Sequence, residues 1–184
     1  MFRTASLSTK LIRIGASLLV VALASISLTL WVTWQLEGGA AAVNEAGRMR
    51  MQTWRLASAV QTSLSPAALG TLVSEFDDSL KLLRAGDPSR PLFVPWDDQV
   101  DLRFAEVDRI WAQRRAQWLA APPMNAIQSV AAAEEFVKAI DALVLSIEQQ
   151  LSRLTAILNL FQFVMMALAI IGAVVMLFTG YMYV

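Results

Sequence analysis

Apolar residues run unbroken at both ends of the chain and recur at helical spacing between them. From Ile14 to Trp34 (IGASLLVVALASISLTLWVTW), and again from Leu154 to Val184, no residue is charged. A membrane-spanning helix takes about 20 predominantly apolar residues, so each run is long enough to be one. In the middle, Leu69, Leu72, Val73, Phe76, Leu80 and Leu83 step three and four apart, the period of a helix that buries one face. Ser65-Pro66 ahead of them reads as an N-cap with proline at the first helical position, and Gly86-Asp87-Pro88 ends the series, which predicts a helix over 67–85. Val100, Phe104, Val107, Ile110, Trp111, Arg114 and Trp118 predict another over 98–119, stopped by Pro122-Pro123. A last one starts near Ala126 and carries Phe136, Ile140, Leu143, Ile147 and Leu151 into the second apolar run.

The first apolar run continues as helix through 36–63, with Gly38-Gly39 its only soft spot. Residues 86–97 (GDPSRPLFVPWD) hold three prolines and are expected to be a loop whose Leu92, Phe93 and Trp96 plug one end of the domain. Four helices on short connections predict an all-α, antiparallel four-helix bundle whose first and fourth helices continue into two transmembrane helices. The expected organisation is a cytoplasmic N-terminus over 1–13, a first span over 14–34, a periplasmic bundle over 35–153 and a second span over 154–184.

Charge supplies the orientation. Arg3, Lys10 and Arg13 precede the first run without an acid among them, so the N-terminus is expected in the cytoplasm. All fifteen acidic residues lie between Glu37 and Glu148, which marks the middle as the water-exposed part. Trp31 and Trp34 suit the outer headgroup layer, Tyr181 and Tyr183 the inner one. Ala40-Ala41-Ala42 offers a signal-peptidase-like site, but the run before it exceeds the roughly 7–15 apolar residues of a signal peptide. The expected location is a bacterial inner membrane, crossed twice. The aromatic-rich end without basic residues after it suggests the anchor and outer domain of a longer protein.

The chain has no cysteine and no histidine, which removes disulfides, thiolate chemistry and the commonest acid–base catalyst and metal ligand. No catalytic residue, metal or cofactor is expected in this segment, and no nucleic-acid partner. Asp97, Asp98 and Asp101 lack the spacing and the glycine turn of a calcium loop and read as the acidic start of a helix. Of Arg114 and Arg115, one is expected to lie over Trp118 and the other to face water. The tryptophans outside the spans read mainly as core.

One stretch stands apart: Asn44–Arg55, NEAGRMRMQTWR, with three arginines and a glycine directly after the first run. On a helix, Val43, Gly47, Arg50, Trp54 and Ala57 fall on one face, so Arg50 sits in a stripe of small and apolar residues. Gly47 costs about 1 kcal/mol against alanine inside a helix, but it lets another backbone or a small ligand come close. Glu45 is placed to pair with Arg48 at i+3, and Arg55 to pair within the bundle, whereas no acid stands at i±3 or i±4 from Arg50.

This stretch resembles the periplasmic signature of nitrate/nitrite-sensing histidine kinases, which runs close to N-x-A-G-x-L-R-M-Q-[ST]-[YW]-R. Asn44, Ala46, Gly47, Arg50, Met51, Gln52, Thr53, Trp54 and Arg55 match it, and Met49 stands where leucine is usual. The resemblance implies a homodimer whose first helices meet at this motif, with one nitrate (or nitrite) held between two copies of Arg50. Gly47 would give the anion room, and Asn44, Met51, Trp54 and Arg55 would support the site. It also implies a phosphotransferase whose ATP- and Mg-dependent catalytic part, and whose response-regulator partner, lie outside this segment. The outer domain of pilus-linked methyl-accepting chemoreceptors, the type IV pili transducer N-terminal kind, shares bundle and signature but with R-M-L-S-Q-R-like wording. A third reading is a structural membrane bundle that only dimerises, with Arg50 paired to Asp141 or Glu148.

Overall fold

A computed structural model describes residues 7–62, 64–87, 89–120 and 124–182. Four helices account for nearly all of them: α1 (Leu7–Gln61), α2 (Pro66–Ala85), α3 (Asp98–Trp118) and α4 (Ala126–Met182). The chain is all-α, a four-helix bundle, as the periodicity predicts. Contacts fix the direction of each helix: Gly39 meets Leu151 while Arg50 meets Asp141, so numbers rise along α1 as they fall along α4. In the same way Asp77–Arg115 and Arg84–Asp101 set α2 against α3.

Local chemistry sets the helix ends. Ser65 caps α2, its side chain accepting from the Ala68 amide at 3.3 Å, with Pro66 at the first position. Gly86 closes α2 at φ 73°, a left-handed conformation costly for any residue with a Cβ, while its amide still donates to the Leu82 carbonyl. Asp97 caps α3 by accepting from the Val100 amide at 2.8 Å. Pro122-Pro123, Pro88 and Tyr183, named above as helix breakers or interface anchor, lie outside the described residues.

Two compact units divide the chain, one of residues 34–153 and one of residues 1–33 with 154–184. In the first, the predicted apolar positions turn inward: Phe76, Val107, Phe136, Ile140, Leu143 and Ile147 are all buried. An aromatic cluster ties three helices together, with Phe76 4.1 Å from Trp111 and 5.2 Å from Phe136 between ring centroids. In the second unit most of the large apolar side chains, from Leu18 to Leu30 and from Leu160 to Phe178, are exposed. Helices α1 and α4 are each long and apolar enough to cross a membrane.

Gly38-Gly39 is no soft spot. The ring of Phe93 lies directly over Gly38, where any Cβ would collide with it, and the Leu151 side chain lies over Gly39 in the same way. Phe93 also stacks on Trp34, with centroids 4.2 Å apart. The glycine pair is a notch that receives the 86–97 loop and α4, and α1 passes through it unbroken. Leu92 is buried as expected, whereas Trp96 stays 39% exposed, packed edge-on against Phe104.

Candidate functional site

The Asn44–Arg55 stretch is entirely helical, within α1, and its residues divide between two faces. Ala46, Met49, Gln52 and Thr53 point into the bundle. Met49 is fully buried, which suits the near-equal volume of methionine and leucine at that place in the motif. Gln52 is 2% exposed, and a core amide of this kind needs partners. It donates to the Glu75 carbonyl at 3.3 Å and lies 3.2 Å from Ser79 Oγ. Ser79 Oγ in turn accepts from Arg48 Nη2 at 3.0 Å. This buried polar network between α1 and α2 escaped the sequence reading; its signal was a glutamine and a serine occupying core positions of two helices.

The other face is open. Asn44, Met51 and Trp54 are exposed, as are Ala40 and Ser58 on the same side, while Gly47 and Arg50 are half-buried. Trp54 is 43% and Met51 53% exposed, a level that Leu102 and Leu145 share in this unit, but here the two stand one turn apart on the same face. The stripe expected from spacing is therefore tilted: Val43 packs on the core and Ala57 is buried, so the open face runs through Ala40, Asn44, Gly47, Met51, Trp54 and Ser58. It carries no charge, with Arg50 along one edge and Arg48 and Arg55 along the other.

The three arginines are held differently. Arg48 pairs with Glu45, as its i+3 spacing predicts, at 2.6 Å. Arg55 pairs with Glu75 of α2 at 3.6 Å. Arg50 reaches the other way, to α4, where its Nη1 donates to Asp141 Oδ1 at 2.9 Å. Both partners of that pair are well exposed, at 42% and 50% of their side chains. Its other terminal nitrogen lies back over Gly47, 3.4 Å from where a Cβ would stand, and among the described residues no other helix comes within 4 Å of that point. Gly47 thus makes room first for the guanidinium group itself.

The remaining candidates are absorbed by the fold. Arg115 forms a two-pronged pair with Asp77, at 2.8 and 3.1 Å, and Arg114 pairs with Glu135. Among the described residues neither arginine stacks on Trp118, while Arg84 lies over an aromatic face, 4.8 Å from the Trp96 centroid. Burial pushes the Asp77 carboxyl up, but hydrogen bonds from Arg115 and from Trp111 Nε1 outweigh it and hold the group below its ordinary value. Asp101 pairs with Arg84 at 2.7 Å and Asp97 with Arg153 at 3.7 Å, besides its capping role. Among the described residues no three His, Cys, Asp or Glu side chains cluster as metal ligands would. Trp111 and Trp118 belong to the core, and Trp118 Nε1 is buried without an acceptor. Trp54 and Trp96 do not.

A four-helix bundle whose first and last helices are long and apolar enough to span a membrane has the architecture of a membrane-associated, sensor-like domain. Residues 31–136, more than half of the chain, match the family described as type IV pili methyl-accepting chemotaxis transducer N-term, PilJ. The chain belongs to that family. Among curated proteins none matches it.

Proposed function

We propose that the chain is the input region of a membrane-spanning signal transducer, and that its ligand is a small planar anion, nitrate or nitrite, held between the Arg50 side chains of two copies. The observation that carries this reading is the open, uncharged face of α1 around Gly47, with Arg50 at its edge and Met51 and Trp54 exposed on it. Small residues there allow a second α1 to approach across a two-fold axis, and the same patch then serves on both chains. Two guanidinium groups brought near that axis can turn hydrogen-bond donors toward one point between them. A trigonal monoanion accepts fork-type hydrogen bonds from both. Nitrate has four heavy atoms, and the best tiny ligands reach about −1.5 kcal/mol per atom, which caps the affinity at roughly tens of micromolar. An environmental sensor needs no more.

In this reading the N-terminus is cytoplasmic, the bundle periplasmic and the assembly a homodimer in the inner membrane. A ligand shifts an equilibrium only by binding its two states unequally; drawing two arginines to the axis favours one packing of α1, a helix that also belongs to the apolar unit. The family match supports a methyl-accepting output beyond the second apolar run. The wording RMQTWR supports the second reading, a sensor histidine kinase with a response regulator as its partner. Sequencing the gene beyond Val184 separates them: a long methylatable coiled coil, or a linker leading to a kinase core.

Calorimetric titration of nitrate into the chain in nanodiscs tests the site. Binding at about one anion per two chains, abolished by Arg50→Ala, is the expected result for a two-fold site. An intact dimer that takes up no nitrate would remove the anion reading and leave the methyl-accepting input domain with a different ligand.

A further inference from the structure

The Arg50–Asp141 pair adds a condition to anion binding. Arg48 and Arg55 tie α1 to itself and to α2, and Arg50 is the member of the motif that ties α1 to α4. In a single chain the guanidinium is already neutralised by Asp141 at 2.9 Å. Two such pairs at a two-fold axis sum to zero charge, so adding a monoanion leaves an excess of negative charge, and its attraction to each arginine is offset by the neighbouring carboxylate. With both aspartates turned away, the same anion meets a net positive site. Asp141 has room to turn, since half of its side chain already faces solvent and exposed ion pairs of this kind are weak.

Resting on the anion reading above, we propose that Asp141 is a built-in competitor for Arg50: an incoming anion takes its place on the guanidinium, so that an occupied site and a closed Arg50–Asp141 clasp exclude each other. Asp141 then has two roles. It sets the anion affinity, holding it below what the arginine pair alone would give. It also makes binding a switch in how α1 is tied to α4, because the ion pair between the two helices opens when the ligand arrives. Glu148 lies two turns further along α4, exposed, and it is Asp141 that Arg50 pairs with.

The test is nitrate titration by calorimetry in nanodiscs on the wild-type chain, Asp141→Asn, Asp141→Glu, Glu148→Gln and Arg50→Ala, with helix content checked by circular dichroism. Asp141→Asn keeps the side chain's size and removes its charge; it is expected to bind nitrate more tightly by on the order of tenfold, the scale of one weak ion pair lost from each chain. Asp141→Glu restores the carboxylate and is expected to return the affinity toward wild type, while Glu148→Gln leaves it within about twofold. If the wild type binds nitrate and Arg50→Ala does not, yet Asp141→Asn binds equally or less tightly, the competitor is refuted and the anion site stands. An equal gain in Glu148→Gln would also refute it, since the effect would then be general charge. If only Asp141→Asn binds, the clasp is stronger than expected and the proposal holds. If neither binds, both readings fall.

Discussion

Two glycine sites lie nine residues apart on α1, and they are used in opposite ways. At Gly38-Gly39 the missing side chains are replaced by groups of the same chain, the Phe93 ring and the Leu151 side chain. At Gly47 the space is left open except for the edge of Arg50. Glycine inside a helix carries the same intrinsic penalty at either place, and a close contact can offset it. The first pair finds it within the fold. At Gly47 the neighbouring group is Arg50 Nη2 alone, which leaves room for the proposed second chain to approach.

The notch is where substitution should do most damage. Gly38→Val places a branched side chain against Phe93, which has to leave its stack on Trp34; Gly39→Val does the same to Leu151. Overpacking of this kind costs about 1–3 kcal/mol. Each variant should lower the thermal unfolding midpoint followed by circular dichroism. A midpoint equal to wild type in both would mean that Phe93 and Leu151 do not fill the notch, and the contrast with Gly47 would disappear.

A similar contrast separates two arginines. Arg115 and Arg50 each face one aspartate, but Asp77 is only 22% exposed and takes a further hydrogen bond from Trp111 at 2.7 Å, whereas Asp141 is half exposed. Truncation by Asp77→Ala strands a largely buried indole donor, at a cost of about 1–3 kcal/mol, whereas Asp77→Asn keeps an acceptor for it. The sign with pH follows from the depressed Asp77 value. The folded state binds the proton less readily than the unfolded chain, so the contribution is complete above the ordinary aspartate range near 4 and fades as pH falls through the lower folded value. Urea midpoints between pH 6 and pH 2.5 should therefore fall more steeply for wild type than for Asp77→Asn. Parallel curves would show that Asp77 carries no linkage, leaving the two arginine pairs alike.

How far these features were legible depends on the sequence distance over which each is decided. Helix spans follow from spacing within a few residues, and so do Ser65 as a cap and the Glu45–Arg48 pair, whose partners stand three apart on one helix. The notch was misread because its filler, Phe93, comes from a loop between other helices. No acid stands one turn from Arg50 on its own helix, and its partner, one of the two acids that the third reading names, is 91 positions away. Helical period also placed Val43 and Ala57 on one stripe with Arg50, and the structure turns both inward. A stripe narrower than half the helix circumference has edges that only the packing of neighbours decides. Asp141 as the acid facing Arg50 was nameable in advance, though only beside Glu148 and without a means of choosing.

Gly47→Ala gives the smallest expected change in stability and the sharpest comparison. In the isolated bundle a methyl group at 47 meets only Arg50 Nη2 at 3.4 Å, so the guanidinium shifts by a few tenths of an ångström while the helix gains up to about 1 kcal/mol of propensity. Folding stability under monomer conditions should rise slightly. The same methyl group stands on the open face, where a second α1 and the anion are proposed to meet, so dimer formation and nitrate affinity should both fall. A variant that is more stable but dimerises and binds as wild type would show that nothing approaches Gly47 from outside. A loss of binding together with a gain in stability would separate this glycine from Gly38 and Gly39, as one kept for an encounter and not for the fold.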